Sequence, residues 1–289
     1  MWNTLKRCLK RVPWIAHRYR VWRDAQFARV SPRPTPFGFL LSGQRDMMAG
    51  TFEPAETKII RALIKTSDVF IDVGANIGYY ICHALQSNPK CSAIAIEPLA
   101  SNVRYLCRNV KANGWENQCE ILPVAASSRS AVVSLFGAGT GASLIRGWNG
   151  APDSSAALVP AHALDNILGG RFRGQRLLIM IDVEGHERDV LEGASDILSR
   201  SPKPFWFVEI GGGDPLNYRV GNPSFVAVFK MFFAAGYEAW ACTASPHIVT
   251  AEDVESAARK SGALGTHNFL FAERGSDVLS MILSSESHR

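Results

Sequence analysis

The sequence predicts an α/β protein built on a mostly parallel, Rossmann-like sheet with helices on both faces. Three observations predict it. Apolar runs of strand length alternate with helical patterns from about residue 55 to residue 272. A glycine turn, Gly74-Ala75-Asn76-Ile77-Gly78, joins one such run to the helix that follows. A carboxylate, Glu97, ends the next run. Alternation with short connections implies parallel strands buried on both faces and joined by right-handed crossovers. Ligands bind such sheets beyond the carboxyl ends of the strands, so functional residues are expected just after strands.

Taken in order, residues 57–64 read as a helix and 69–73 as a short buried strand. After the glycine turn, 79–86 is helical, 92–96 a second strand, 101–113 a second helix and 119–124 a third strand. The alternation is then interrupted. Residues 131–136 and 157–160 read as strands flanking a Gly/Ser-rich stretch, 137–155. It resumes with a strongly apolar strand at 177–182, a helix at 188–198 and a strand at 205–210. A helix at 225–235 carries Phe229, Phe232 and Phe233, and 238–242 and 268–271 read as the last two strands.

Charge divides the chain. Residues 1–33 hold nine Lys or Arg and one acid, Asp24, a net +8, which leaves −3 for the rest of a chain whose total is +5. Trp2, Trp14, Tyr19, Trp22 and Phe27 are interleaved with these cations, Pro13 breaks any long helix, and Pro32, Pro34 and Pro36 mark a linker. Residues 1–36 are therefore read as a basic arm and linker, and 37–289 as the catalytic domain. Two readings of the arm stay open: a helix docked on the body, or an interfacial segment making peripheral membrane contact through residues 1–33. The body has no basic stripe and no nucleic-acid motif, so a nucleic-acid partner is not expected. The six cysteines form no Cys-x-x-Cys pair and no zinc spacing. With no apolar segment after the basic start and no run near the ~18 residues of a membrane span, a cytoplasmic protein is expected.

The sharpest motif is Asp72-Val73-Gly74-Ala75-Asn76-Ile77-Gly78. Gly74 permits a turn that a side chain would obstruct, and Gly78 is read as letting the helix start close to the sheet. Asn76 stands where a dinucleotide fingerprint has its close-approach glycine, which weakens an NAD reading. Glu97, nineteen residues after Gly78, is placed to take both hydroxyls of a ribose. Pro98 then fixes the turn. Ala125 and Ala126, after the third strand, leave room for an adenine ring.

These residues resemble the FkbM family of S-adenosylmethionine (SAM)-dependent methyltransferases. The first motif is carried by Asp72 to Tyr80, the second by Glu97-Pro98, Asn102 and Asn109-Val110. Val159-Pro160-Ala161, Leu164-Asp165, the run Ile179 to Glu187, Val190-Leu191, Gly193-Ala194, Glu209 and Asn268 to Phe271 complete it over about residues 45–272. Met180 stands where the family often has Lys, and His186 where a small residue is common. The resemblance implies the class I methyltransferase fold with a seven-stranded sheet and SAM as cofactor. It implies a cofactor site of Asp72, Gly74, Ala75, Asn76, Gly78, Tyr79, Glu97, Pro98, Asn102, Ala125, Ala126 and Asp182. It also implies methyl transfer to a hydroxyl of a sugar, glycan or secondary metabolite.

A hydroxyl needs a base or a metal to remove its proton near pH 7. Asp182, Glu184 and His186 cluster past the fourth strand and Glu209 ends the next, so these four are the candidate catalytic residues. If the strand continues, Asp182 and Glu184 share a face. They are then able to hold a divalent metal through oxygen or to act as base and orienter. Glu187 also reads as an N-terminal helix acid, and Asp165 as a cap of the helix after it. The loops 137–146 and 211–218, the latter with Asp214, Asn217 and Tyr218, are candidates for the acceptor pocket. Two other functions stay open: an NAD-dependent oxidoreductase or epimerase, disfavoured by Asn76 and the lack of Tyr-x-x-x-Lys, and a non-catalytic nucleoside-binding scaffold at membranes.

Overall fold

The computed structural model describes residues 18, 31–148, 151–211, 222, 224–260, 264–278 and 282. The aromatic and basic pattern of the arm before residue 31, apart from Arg18, and the loop residues Asp214, Asn217 and Tyr218 lie outside the described residues. No described helix is long and apolar enough to cross a membrane.

A short ladder opens the described body: β1 (Arg33–Pro34) pairs antiparallel with β2 (Leu40–Leu41), followed by α1 (Arg45–Ala49) and α2 (Pro54–Ile64). Then come β3 (Val69–Val73), α3 (Tyr79–Ser87), β4 (Ser92–Ile96), α4 (Ala100–Ala112), β5 (Cys119–Leu122), β6 (Ala125–Ala126), β7 (Ala131–Leu135) and β8 (Ala157–His162). The chain continues through α5 (Leu164–Leu168), β9 (Leu177–Ile181), α6 (Glu187–Glu192), α7 (Ser195–Leu198) and β10 (Phe205–Glu209). It ends with α8 (Phe225–Ala234), β11 (Tyr237–Ala241), β12 (His247–Val249), α9 (Ala251–Lys260) and β13 (Asn268–Glu273).

The main sheet runs β5-β4-β3-β9-β10-β13-β11-β12. Its first five strands are parallel, and β13 lies antiparallel between β10 and β11. This is the expected fold with one strand more than the expected seven. The eighth, β12, is a three-residue hairpin partner of β11, too short and too exposed to leave a period-2 signature. Strand order reverses between β3 and β9, which places the switch-point crevice beside the glycine turn.

Burial on both faces explains the continuous apolar runs. Along β9, Leu178 and Met180 enter one core layer and Leu177, Ile179 and Ile181 the other. Met180 is thus a core residue, and the absence of Lys there leaves the fold intact. The interrupted stretch forms a second sheet, β6-β8-β7. The predicted helix at 188–198 is two helices. Gly193 separates α6 from α7, where a Cβ would lie 2.1 Å from the carbonyl oxygen of Ser127.

Candidate active site

Register builds the site. Ala95, Asp72, Met180 and Phe207 are laterally paired across β4, β3, β9 and β10. Two residues further along each chain stand Glu97, Gly74, Asp182 and Glu209. Period 2 puts this second row on the same side of the sheet, at the carboxyl ends of four adjacent strands. Only a glycine fits the middle of the row. Gly74 has φ +90°, and a Cβ there would lie 1.8 Å from the backbone oxygen of Asp182. The turn is pinned on both sides, by Gly74 N–H to Ile96 O at 2.9 Å and Asp182 N–H to Val73 O at 2.9 Å. Gly78 serves differently from expectation. It is the left-handed residue before α3, and its close neighbour is Leu106 of α4 rather than the sheet.

Two adjoining cavities open above this row. The first is lined by Asn76, Glu97, Pro98, Asn102, Ala125, Ala126 and His186 among others. The second is lined by Glu53, Asp72, Ala75, Tyr79, Tyr80 and Glu209 among others. Gly74, Asn76, Thr140, Asp182 and Glu184 border both. Of the sequence-predicted site residues, only Gly78 lines neither.

In the first cavity Glu97 is buried and accepts backbone N–H groups from Asn76 and Leu99, each at 2.8 Å. Burial pushes its carboxyl up to about 7, and hydrogen bonds from Leu99, Asn76 and Asn102 oppose that rise. Asn76 adopts φ +51°, which turns its N–H toward Glu97 and leaves Asn76 Oδ1 a buried acceptor without a partner. The Asn102 amide also donates to Gly139 O at 3.2 Å, tying the 137–148 segment over the cavity. From this segment, read in sequence as a candidate acceptor loop, Gly139, Thr140, Ala142, Ser143 and Leu144 line the cavity that holds Glu97, and Thr140 borders the second cavity as well.

The turn after β9 departs from simple alternation. The strand ends at Ile181, and Glu184 adopts φ +54°. Its carboxylate accepts the indole N–H of the buried Trp148 at 2.6 Å, and its carbonyl accepts Ser143 Oγ–H at 2.7 Å. Glu184 thereby clasps the roof to the site. Glu187 is buried, accepts Gly185 N–H at 2.8 Å and Asn222 Nδ2–H at 2.7 Å, and burial pushes it up to about 7. Asp165 caps α7 rather than its own helix, accepting N–H groups from Asp196 at 2.9 Å and Ile197 at 3.1 Å.

The second cavity gathers acids. Asp72 is 2% exposed, and no described residue donates a hydrogen bond to its carboxylate. Burial, then the nearby Glu97, pushes it up to about 8. Asp182 is raised well above the ordinary carboxylate range by burial, then by Glu209 and Glu184. Glu53, which the sequence did not single out, faces the same space. It sits at φ +42° before α2, accepts Tyr80 Oη–H at 2.5 Å, and is raised by burial. Three of the four non-glycine residues with positive φ, Glu53, Asn76 and Glu184, border these cavities, as strained backbone does at functional sites. Among the described residues no group of three or more His, Cys, Asp or Glu is arranged to hold a metal ion.

These residues fit a methionine-bearing nucleoside. Glu97 accepts from Asn76, Leu99 and Asn102 and still keeps an open acceptor site toward the cavity for a vicinal diol. Asn76 Oδ1 and the Asp72 carboxylate are acceptors still without donors, and an ammonium supplies donors.

Residues 72–239 match the model of the methyltransferase FkbM domain, more than half of the chain. No curated protein matches the sequence. Among solved structures, the chain resembles an O-methyltransferase from Bacillus cereus in complex with SAH (11% identity, 78% of this chain and 83% of that one, TM-score 0.45). It also resembles a precorrin-6y C5,15-methyltransferase from Geobacter metallireducens GS-15 (9% identity, 82% of this chain and 96% of that one, TM-score 0.42). A third resemblance is to fibrillarin from Aeropyrum pernix with natively bound S-adenosyl-L-methionine (11% identity, 75% of this chain and 76% of that one, TM-score 0.41). The motif row at the strand ends and the match across it give one conclusion: the chain belongs to the FkbM family of SAM-dependent methyltransferases.

Proposed function

We propose that the chain methylates a hydroxyl of a small-molecule acceptor, a sugar, glycan or secondary metabolite, with Asp182 as general base. When bound, SAM supplies an electrophilic methyl group on a sulfonium. Glu97, Asn76, Pro98, Asn102, Ala125 and Ala126 would hold its nucleoside half, and Asp72, Gly74, Ala75 and Tyr79 its methionine half. One observation carries the reading. Asp182 stands where the two cavities meet, and no described residue donates a hydrogen bond to its carboxylate. An unpartnered carboxylate with a raised pKa is a better proton acceptor than an ordinary surface acid. Glu209, two residues past Phe207 on the adjoining strand, raises Asp182 further and stands ready to orient the acceptor. Glu184 is committed to Trp148, which supports a role in holding the roof rather than in proton transfer.

The test pairs turnover with binding. Full-length protein is incubated with methyl-labelled SAM and a small-molecule and glycan extract, and products are followed by mass spectrometry. Asp182→Asn is expected to lower label transfer by about 100-fold or more while SAH affinity changes by less than about threefold. A parallel loss of both would move Asp182 to cofactor binding. A labelled product carrying the methyl on nitrogen would overturn the hydroxyl assignment.

A further inference from the structure

The two helical layers carry opposite charge. Helices α1–α4 share one core with Phe70, Leu178 and Met180, and α5–α9 share the other with Ile71 and Ile179, so the layers cover opposite faces of the main sheet. Helices α1–α4 hold six Lys or Arg and two acids, a net +4. Helices α5–α9 hold four Lys or Arg and eight acids, a net −4. No basic stripe is visible along the body's sequence, because these cations lie on separate elements that only the fold brings to one flank.

The positive flank is open. Arg33, Arg45, Lys65, Lys90, Arg104 and Lys111 are exposed, and none of them forms an ion pair with a described residue. The ion pairs of the described residues lie elsewhere, Arg188–Glu192 and Lys230–Glu255 on the negative layer among them. The flank's acids are mostly turned away. Glu53 faces the second cavity and Glu56 Oε1 accepts from Asn268 Nδ2–H at 3.3 Å, which leaves Asp46 and Glu116 as its exposed acids. The same flank carries apolar side chains that are only partly covered, Phe37, Met48, Phe52 and Trp115. The basic arm enters here. Residues 1–33, net +8, run into β1, where Arg33 pairs with Leu41. Strand β2 is tied to α4: the Asn113 amide exchanges two hydrogen bonds with Leu40, each at 2.8 Å, and Asn109 Oδ1 accepts Ser42 N–H at 2.7 Å. Like charge is thus gathered rather than balanced, which costs stability through self-repulsion unless an external anion answers it.

We infer that this flank, the exposed side of β1, α1, α2 and α4 continued by the arm, docks the protein on an anionic membrane surface. The arm's Leu5, Leu9, Val12, Ile15 and Val21 favour lipid over a nucleic acid. Aliphatic side chains gain from the boundary between headgroups and acyl chains, and they offer a base no stacking face. Each cation within a Debye length of an anionic leaflet tightens binding by about fivefold, and basic charge joined to inserted apolar side chains gives stable association where either alone is marginal. Gln44 and Phe52 of this flank also line the second cavity, so the docked face adjoins the proposed acceptor site.

Flotation of the full chain with two sets of vesicles tests this, one of phosphatidylcholine alone and one with about one-third phosphatidylglycerol. Partition into the anionic vesicles is expected to be about tenfold stronger or more, and to vanish between about 0.1 M and 1 M salt as the Debye length shrinks from about 10 Å to 3 Å. Arg104→Glu/Lys111→Glu should weaken that partition by about tenfold or more, and so should Lys65→Glu/Lys90→Glu. Lys230→Glu/Arg259→Glu makes the same charge change on the acidic layer and should alter partition by less than about threefold. Unchanged calorimetric affinity for S-adenosylhomocysteine shows that each variant is folded, and either flank pair decides the matter should the other misfold. Equal partition into both vesicle sets overturns the inference. So does an equal loss from all three double variants, which would report net charge alone. A partition that neither flank pair disturbs would assign binding to the arm without the flank and overturns it too. A single-stranded RNA that binds more tightly at the same salt and releases the chain from vesicles would make the flank a nucleic-acid surface instead.

Discussion

The two cavities share Gly74, Asn76, Thr140, Asp182 and Glu184, yet they are built on opposite principles. Around Glu97 the carboxylate is answered by donors from the turn after β3 and the start of α4, and the roof is tied down through Asn102, Ser143 and Trp148. Around Asp182 the acids meet other acids. Asp72 and Asp182 receive no hydrogen bond from any described residue, and Glu53, Glu184 and Glu209 raise Asp182. A satisfied polar network is rigid and binds; an unsatisfied one in a low dielectric is poised to take a proton or a cation. Binding and chemistry are thus divided along one row of strand-end residues, with a glycine between the halves.

The strongest way to break this division is to remove the glycine. Gly74→Ala puts a Cβ against the Asp182 carbonyl and forces a left-handed backbone on a residue that resists it. Its expected effect is a loss of about 3 kcal/mol of stability, with calorimetric SAH binding no longer measurable. Thermal unfolding with and without SAH checks both. If the variant keeps its melting temperature and its affinity, the turn is not the shared wall of the two cavities.

A milder change addresses one half alone. Glu97→Ala should weaken SAH binding by about 1–3 kcal/mol, the worth of hydrogen bonds to a charged acceptor. It should leave the raised pKa of Asp182 in place, since Glu97 is not among the groups that raise it. The second readout is the pH profile of turnover. An Asp182-governed limb that moves with Glu97→Ala would show that the halves are coupled rather than divided.

How much of this was legible in the sequence depends on the range of the contact. Gly74, Glu97 and Asp182 directly follow an apolar strand and Glu209 ends one, so local pattern and the strand-end rule find them. Their meeting in one row needs only a parallel register. The clasp of Trp148 on Glu184 spans 36 residues and the Ser127–His186 contact 59, through a sheet that the Gly/Ser-rich stretch gave little reason to place. Glu53 lies outside the helix read from sequence at 57–64; in the fold it precedes Pro54 at the start of α2, with a φ of +42°, and borders the second cavity. Asp165 shows the same limit, because the helix it caps begins thirty residues later. Local chemistry marks which residue types can act, and tertiary pairing decides on whom.

The smallest expected effect sharpens the comparison furthest, because pH acts on the two halves through different groups. In the unliganded protein Glu97 titrates at about 7 and Asp72 at about 8, both raised by burial. Ribose hydroxyls donate to an ionised Glu97, so nucleoside binding must expel its proton. Affinity therefore rises with pH, by about tenfold between pH 6 and 8 for one such proton. The sign for stability is the reverse. The folded chain binds a proton more tightly than the unfolded one, whose glutamates titrate near 4.5. Stability without ligand then falls as pH rises from that value through about 7, and buried Glu187, also raised to about 7, adds in the same direction. Methylthioadenosine carries the nucleoside without the amino acid and should follow the Glu97 slope alone. SAH brings an ammonium to Asp72 as well and should show a steeper slope, with its upper end nearer pH 8. Calorimetry of both ligands from pH 5.5 to 9, in two buffers of different ionisation enthalpy, counts the protons released. Equal slopes for the two ligands would place the ammonium away from Asp72, and a flat profile for methylthioadenosine would take the ribose away from Glu97.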